Sequence, residues 1–132
     1  MTDQLQAARD EIAEMCGWKR VDYIDDPPGI VRTAWCHELS EVLDHHPIPA
    51  CLNFVSRVWP DGWDWVRDVN EDGAYRWVSF GTHAGIVSIS TMDSDELTDR
   101  MTLLLKVLHW LRDNDRPAFG AACEKIRKEC GQ

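Results

Sequence analysis

The stretch that decides the fold is AYRWVSFGTHAGIVSIST, which spans residues 74–91. Residues 74–80 alternate with a period of two, and residues 85–91 are rich in β-branched side chains. Residues 81–84, between these two runs, include a glycine, so the segment predicts a β-hairpin. Both faces of the first strand carry apolar side chains, which is typical of a sheet covered by helices.

Helical patterns follow this hairpin. Residues 93–96 supply capping and first-turn acids, and the helix that they open is predicted to continue to about Arg112. Its apolar positions, spaced three, four and seven apart, are Leu97, Met101, Leu104, Leu108 and Leu111. Pro117 opens a last helix, in which Phe119, Cys123 and Ile126 face inward.

The first thirty residues predict one helix and one strand. Residues 3–16 have apolar positions at helical spacing, Asp3 and Gln6 form a possible capping box, and Gly17 is a natural stop. Residues 18–24 predict a short strand. The run of acids, prolines and glycine at 25–29 predicts a loop, because two prolines remove backbone donors.

The middle of the chain is less clear. Residues 33–46 have helical spacing, with Thr33 as the cap and Pro47 closing the segment, although a strand through residues 30–35 is the alternative. Residues 49–59 predict a short helix that opens at a proline. Residues 62–69 are ambiguous between a helical turn and a strand, because Trp63, Trp65 and Val66 satisfy neither period cleanly.

Taken together, these elements predict one α+β domain over residues 1–132, a small antiparallel sheet with helices packed on both faces in an α/β/α-type sandwich. A chain of 132 residues with 44% apolar content can bury a core without staples. Its five cysteines form an odd set without a CxxC pair, so we expect reduced thiols.

Charge narrows the classes of partner. The net charge is −9, and residues 61–99 hold nine acidic side chains against two arginines, so long nucleic acid is not an expected partner. No apolar run approaches the length of a membrane span, and the first residues do not resemble a secretory signal. We therefore expect a cytoplasmic protein.

Three segments carry a resemblance to a known family. They are residues 12–18 at the end of the first helix, Pro47-Ile48-Pro49, and Arg76-Trp77-Val78-Ser79-Phe80 before the long helix. Their order resembles the small bacteriophage proteins of the phage ABA-sandwich family. The resemblance implies a phage accessory protein in the cytoplasm of a bacterial host. It also implies an anti-defence role, by binding a host protein or by sequestering a nucleotide signal.

Metal binding is a weaker interpretation of the sequence. On the helix predicted for residues 33–46, His37, Glu41 and His45 would share one face, and imidazole and carboxylate groups can ligate zinc or iron. The outer pair would lie about 12 Å apart on a straight helix and could not meet at one ion. Solvated side chains are therefore the favoured interpretation. We assign no catalytic residue, metal ligand or cofactor, and a small metal-dependent hydrolase is only the third functional hypothesis.

Aromatic and arginine residues give the leading functional hypothesis. Residues 59–65, WPDGWDW, place three indoles within seven positions. The predicted ligand-binding residues are Trp59, Trp63, Trp65, Arg67, Tyr75, Arg76 and Trp77. Core packing is the better prediction for each tryptophan alone, but the group is too large to be hidden completely.

Such a group can stack a base and bind a phosphate. The sequence therefore predicts a protein that sequesters a small nucleotide-type ligand without turnover. The alternative is an acidic inhibitory module that binds a host protein. Because spare aromatic surface often closes against a second copy, we also expect a homo-oligomer.

Overall fold

The computed structural model describes residues 3–25, 30–37, 45–69, 71, 73, 75–81, 87–92 and 95–130. In chain order, its elements are α1 (Asp3–Met15), β1 (Trp18–Asp25), β2 (Ile30–His37), α2 (Leu52–Val58), β3 (Trp63–Val69), β4 (Tyr75–Gly81), β5 (Val87–Met92), α3 (Glu96–Asn114) and α4 (Arg116–Glu129). These elements confirm the predicted α+β class. None of the helices in the described ranges has the length and apolar character needed to cross a membrane.

The pairing predicted for the hairpin is confirmed, because β4 and β5 are antiparallel with Ser79 opposite Ile89. The predicted turn lies largely outside the described residues, since 82–86 are not described. Strand β3 adds to the other side of β4, with Trp63 opposite Gly81, so the sheet order is β3-β4-β5. The ambiguous residues 62–69 thus belong mainly to a strand. Trp63 is buried there while Asp64 beside it is exposed, as expected for side chains that alternate across a pleated sheet.

A second antiparallel sheet consists of β1 and β2, and it corrects the helix predicted for residues 33–46. Residues 33–37 continue a strand that pairs with β1 over its whole length, so the alternative strand is the right one. The pairing puts Trp18 and Trp35 on the same face, where both are buried in the core. The burial of these two tryptophans outweighs the helical spacing of the apolar positions in residues 33–46. Residues 38–44 of the predicted helix lie outside the described residues.

The long helix α3 is the centre of the core and contacts α1, α2, α4, β4 and β5. Its side chains with at most 1% exposure include Met101, Leu103, Leu104, Val107, Leu108 and Leu111. Asp95 caps the helix by accepting hydrogen bonds from the Thr98 backbone N–H (2.8 Å) and the Thr98 hydroxyl (2.6 Å). Asp95 therefore acts as a cap, as predicted, whereas residues 93–94 lie outside the described residues.

The other helices also form where they are predicted. Helix α1 packs on β1, and Gly17, with φ of 101°, ends its final turn. The Gln6 side chain bonds to Asp10 and Arg9. Helix α2 is shorter than the predicted 49–59, and α4 begins at Arg116 with Asp115 as its cap. All five cysteines are free thiols, as expected.

Candidate functional site

The tryptophan-rich segment forms the turn that joins α2 to β3. The Trp63 backbone N–H donates to the Pro60 carbonyl (3.4 Å), and Gly62 supplies the positive φ of 85° that this turn requires. The Trp59 indole Nε1 donates to the Trp63 carbonyl (2.6 Å) and closes the turn from the side. We call residues 59–63 the Trp59–Trp63 turn. Its first indole therefore has a structural role.

A pocket of about 280 Å³ lies between the Trp59–Trp63 turn and the two carboxyl-terminal helices. Its lining residues, which define the turn pocket, are Pro60, Asp61, Gly62, Leu111, Ala118, Ala121, Ala122 and Lys125. Leu111 and the three alanines make the helical wall apolar, and small side chains at these positions leave the space open. Apolar walls with a few polar groups are typical of small-molecule sites.

Among the described residues that line the turn pocket, Lys125 is the only cationic one. Its Nζ donates to the Trp59 carbonyl (3.1 Å) and lies 3.4 Å from Asp61 Oδ1. Asp61 is fully exposed and Lys125 is 39% exposed, so this ion pair contributes little stability. An anionic ligand could therefore take the place of Asp61 beside Lys125.

Most of the predicted aromatic residues pack against neighbours instead of facing this pocket. Trp63 and Trp77 are buried, with 3% and 7% exposure. The ring of Trp63 meets Trp110 edge-on at a centroid distance of 5.4 Å, and Trp59 meets Trp65 in the same way at 4.3 Å. Among the tryptophans of this set, Trp59 and Trp65 are half-buried, whereas Trp63 and Trp77 are buried.

Arg100 in α3, which the sequence analysis did not single out, lies over the rings of Trp65 and Trp77. Its guanidinium lies 4.4 Å from the ring centroids of both Trp65 and Trp77, a cation–π arrangement. Arg100 also forms an ion pair with Glu96 one turn earlier (2.8 Å). This contact fixes α3 against the sheet and reduces the aromatic area available to a ligand.

The predicted arginines do not converge on one point. In the strand register Arg67 lies opposite Trp77, whereas Arg76 lies opposite Asp68 on the other face of the sheet. Arg76 Nη2 is 3.7 Å from the Asp68 carboxylate. Tyr75 begins β4, and its side chain is outside the described part of the structure. The predicted set is thus divided between two faces and the core.

Sequence reasoning missed the helical side of the turn pocket. Ala118, Ala121, Ala122 and Lys125 follow one another at helical spacing along α4, so they share one face. A stripe of alanines ending in a lysine was the available signal. It is weak, because alanine is also the best helix former and its presence needs no further cause.

The histidine hypothesis is affected by the change from helix to strand. His37 ends β2, Glu41 lies outside the described residues and His45 is exposed, so no helix face aligns the three. Within the described ranges, no group of three potential metal ligands is found.

His46 instead belongs to a half-buried network. Its Nε2 donates to Asp10 Oδ1 (2.8 Å), and its Nδ1 accepts from the Ile48 backbone N–H (3.0 Å). The Trp35 ring lies at a centroid distance of 4.8 Å from the imidazole. Burial lowers the pKa of His46, and the hydrogen bond to Asp10 only partly opposes this. With both ring nitrogens in hydrogen bonds, His46 holds residues 46–48 against α1.

No protein-family model matches the chain, and no curated protein or solved structure matches it either. The resemblance to the phage ABA-sandwich family therefore stays a prediction.

Proposed function

We propose that the protein binds and sequesters one small nucleotide-type ligand in the turn pocket without converting it. The observation that carries this proposal is the cavity of about 280 Å³ with an apolar helical wall and Lys125 at its polar side. A base would lie against Leu111 and the alanines of α4. A phosphate would accept a charge-assisted hydrogen bond from Lys125.

The size of the turn pocket limits the ligand. Drug-sized ligands occupy pockets of about 300–1,000 Å³. At about 280 Å³, this cavity lies just below that range. A single nucleotide therefore fits the turn pocket better than a dinucleotide does. Sequestration without turnover is proposed because the described lining side chains, Lys125 and Asp61 included, supply binding contacts rather than a nucleophile with its base.

Titration calorimetry with the four nucleoside monophosphates and with cyclic mononucleotides tests this proposal. Lys125→Gln should weaken binding roughly tenfold or more, because it removes a charge-assisted hydrogen bond. Lys128→Gln is the matched control, since Lys128 is on the same helix, is paired with Glu124 and does not line the pocket. Ala121→Leu, which fills the pocket from an exposed helical position, should abolish binding.

Three results would contradict the proposal: no heat with any mononucleotide, equal losses in the two lysine variants, or unchanged binding after Ala121→Leu. Incubation with the bound nucleotide, followed by chromatography, should return it unchanged. A steady loss of nucleotide would instead indicate an enzyme.

The edge strand β3 favours a second candidate function, an acidic module that inhibits a host protein. Its side chains Asp64, Val66 and Asp68 alternate with the inward positions and are exposed, and Asp61 precedes them. An exposed edge can add a strand from another chain, and the carboxylates suit a basic segment.

Self-pairing of this edge is less favourable. In a two-fold antiparallel pairing centred on Val66, Asp64 of each copy would face Asp68 of the other copy, and like charges directly opposite destabilise a sheet. A basic peptide avoids this repulsion. Binding of a lysine-rich β-forming peptide should fall steeply with salt and should be lost in Asp64→Asn/Asp68→Asn. Salt-independent binding would argue against this candidate.

A further inference from the structure

Strand β1 is the exposed member of the two-stranded sheet. Residues 19–22 of β1 are all exposed. Ala34 of β2, which lies opposite Val21, is only 1% exposed. Trp35, which lies opposite Arg20, is 3% exposed. The core therefore covers β2, and because β1 pairs only with β2 among the described strands, its other edge is the outer edge of this sheet.

The middle of β1 combines this open edge with apolar surface. A two-stranded hairpin is marginally stable at best in water, and further strands stabilise it. Val21 is 44% exposed, and the other exposed large hydrophobic side chains among the described residues are those of Val66 and Val69 in β3. An edge strand also presents backbone N–H and C=O groups on which a further strand can pair. Strand β1 is therefore suited to receive another strand.

Symmetry limits the ways in which two copies of β1 can pair. A two-fold axis perpendicular to the sheet keeps opposite side chains on one face, so it must pass between two copies of the same residue. An axis at Lys19, Arg20 or Asp22 would place two like charges directly opposite each other, which destabilises a sheet. An axis at Val21 instead pairs two apolar side chains. It also places Arg20 of each copy opposite Asp22 of the other copy, and such opposite charges stabilise a sheet.

We propose that two copies of the protein associate by antiparallel pairing of β1 with β1, centred on Val21. The two-stranded sheets of the two copies then form one continuous four-stranded sheet in the order β2-β1-β1-β2. The partner is a second copy of this chain, because the charge pattern of β1 is complementary to itself.

The edge of β3 lacks this self-complementarity. Pairing of β3 with β3 around Val66 would bring Asp64 of one copy opposite Asp68 of the other copy. The net charge of −9 also makes two copies repel each other as they approach. Association is thus favoured at the edge where opposite charges meet, which is that of β1.

The Arg20 side chain can reach a second copy at small cost. Its Nη1 lies 3.8 Å from Asp10 Oδ2, and the side chain is 48% exposed. An ion pair of this length and exposure contributes little stability. The guanidinium can therefore turn from Asp10 to the Asp22 carboxylate of the second copy.

Sedimentation velocity over a series of protein concentrations measures this association. One strand pair is a smaller interface than the about 1,600 Å² of a typical stable complex, so the wild type should change from monomer to dimer along the series. Arg20→Asp or Asp22→Arg alone should raise the dimer dissociation constant about tenfold or more, because two opposite-charge pairs become like-charge pairs. An equimolar mixture of these two variants should form a heterodimer, because the acids of one copy then face the arginines of the other.

A matched pair of variants separates the two strand edges. Val21 and Val66 are both 44% exposed in edge strands. Val21→Lys places two like charges at the axis and should prevent dimerisation, whereas Val66→Lys should leave it unchanged. Thermal unfolding of each variant shows that it is folded before its association is measured.

Three outcomes would overturn the proposal. They are a wild type that stays monomeric at every concentration, an association that survives in Val21→Lys or is lost in Val66→Lys, and a mixture of Arg20→Asp with Asp22→Arg that remains monomeric.

Hydrogen exchange of the wild type keeps the test independent of any variant. Amides of β1 should exchange more slowly at high protein concentration than at low concentration, because pairing protects them. Equal exchange at both concentrations would contradict the proposal even if a variant failed to fold. None of the described residues that line the turn pocket belongs to β1, so the dimer does not depend on a ligand there.

Discussion

At the scale of single residues, the absence of a side chain at Gly81 leaves space for a neighbouring ring. A Cβ atom on Gly81 would lie 2.5–2.7 Å from three atoms of the Trp63 indole, which covers that glycine across the strand pair. Glycine at this position lets a buried tryptophan lie flat on β4. The close contact with the Trp63 indole explains why β4 contains a glycine, a residue that otherwise weakens strands.

Gly81→Ala should therefore lower the free energy of unfolding by about 1–3 kcal/mol, because the indole must move in a packed core. Gly120→Ala is the matched control. It lies in an exposed part of α4 with nothing within 4 Å of the new Cβ, so it should raise stability by about 0.5–1 kcal/mol. Urea unfolding of both variants measures the difference. Equal effects would show that the Trp63 contact does not constrain Gly81.

Protonation of His46 should destabilise the fold at mildly acidic pH. Its pKa is lowered below the ordinary value of 6.5 in the folded protein, where it faces Asp10 and Arg9 of α1. The unfolded chain therefore binds the proton first as the pH falls. The stability contribution is complete above about pH 6.5 and is lost as the pH falls below it.

The urea midpoint of the wild type should thus fall more steeply between pH 7.5 and pH 5 than that of His46→Gln, whose amide can still donate to Asp10. Parallel pH profiles for the two proteins would mean that His46 does not carry this dependence.

At the scale of elements, capping side chains determine where α3 and α4 begin and end. Asp95 receives two hydrogen bonds from Thr98, and the side-chain hydrogen bond is the largest cause of its lowered pKa. Asp115 both ends α3 and caps α4, where its carboxylate accepts from the Ala118 N–H (3.3 Å). Asp115 thus separates α3 from α4, the two helices whose residues form the wall of the turn pocket.

Asp95→Ala should destabilise the protein by about 1 kcal/mol, because α3 loses its cap and is the most connected element. Asp113→Ala serves as the control, since that exposed side chain pairs only loosely with Arg112 (3.5 Å) and should change stability little. Thermal unfolding of both variants would decide. A larger effect at Asp113 would contradict the capping argument.

At the scale of the whole molecule, two sheets are joined through a helical layer. Helix α1 contacts β1, helix α3 contacts β4 and β5, and the two helices contact each other. Removing α3 from this arrangement would separate the sheets and open the turn pocket at Leu111. The core is therefore expected to unfold as one cooperative unit.

Hydrogen exchange should show this hierarchy. Backbone amides in the middle of α3 should exchange only through global unfolding, whereas residues 66–69 of the exposed edge strand β3 should exchange through local opening. Mass spectrometry of peptides after deuterium labelling measures both. Faster exchange in α3 than in β3 would show that α3 is not the centre of the cooperative unit.

The sequence determined the local elements of this protein. Period-two alternation identified β4, helical spacing and acidic caps identified α3, and Gly17 marked the end of α1. These signals are local, because each depends on backbone sterics or on side chains within one or two turns. They predicted the α+β class before any contact was known.

Only the tertiary structure decided the rest. Residues 33–37 became a strand because β1 lies beside them and buries Trp35. Trp63 and Trp77 entered the core because α3 brings Trp110 and Arg100 to their rings. The turn pocket depends on contacts between residues far apart in the chain, such as Lys125 with Trp59, which are 66 positions apart. Long-range burial outweighs local spacing, and no pattern within one segment records which partner will cover it.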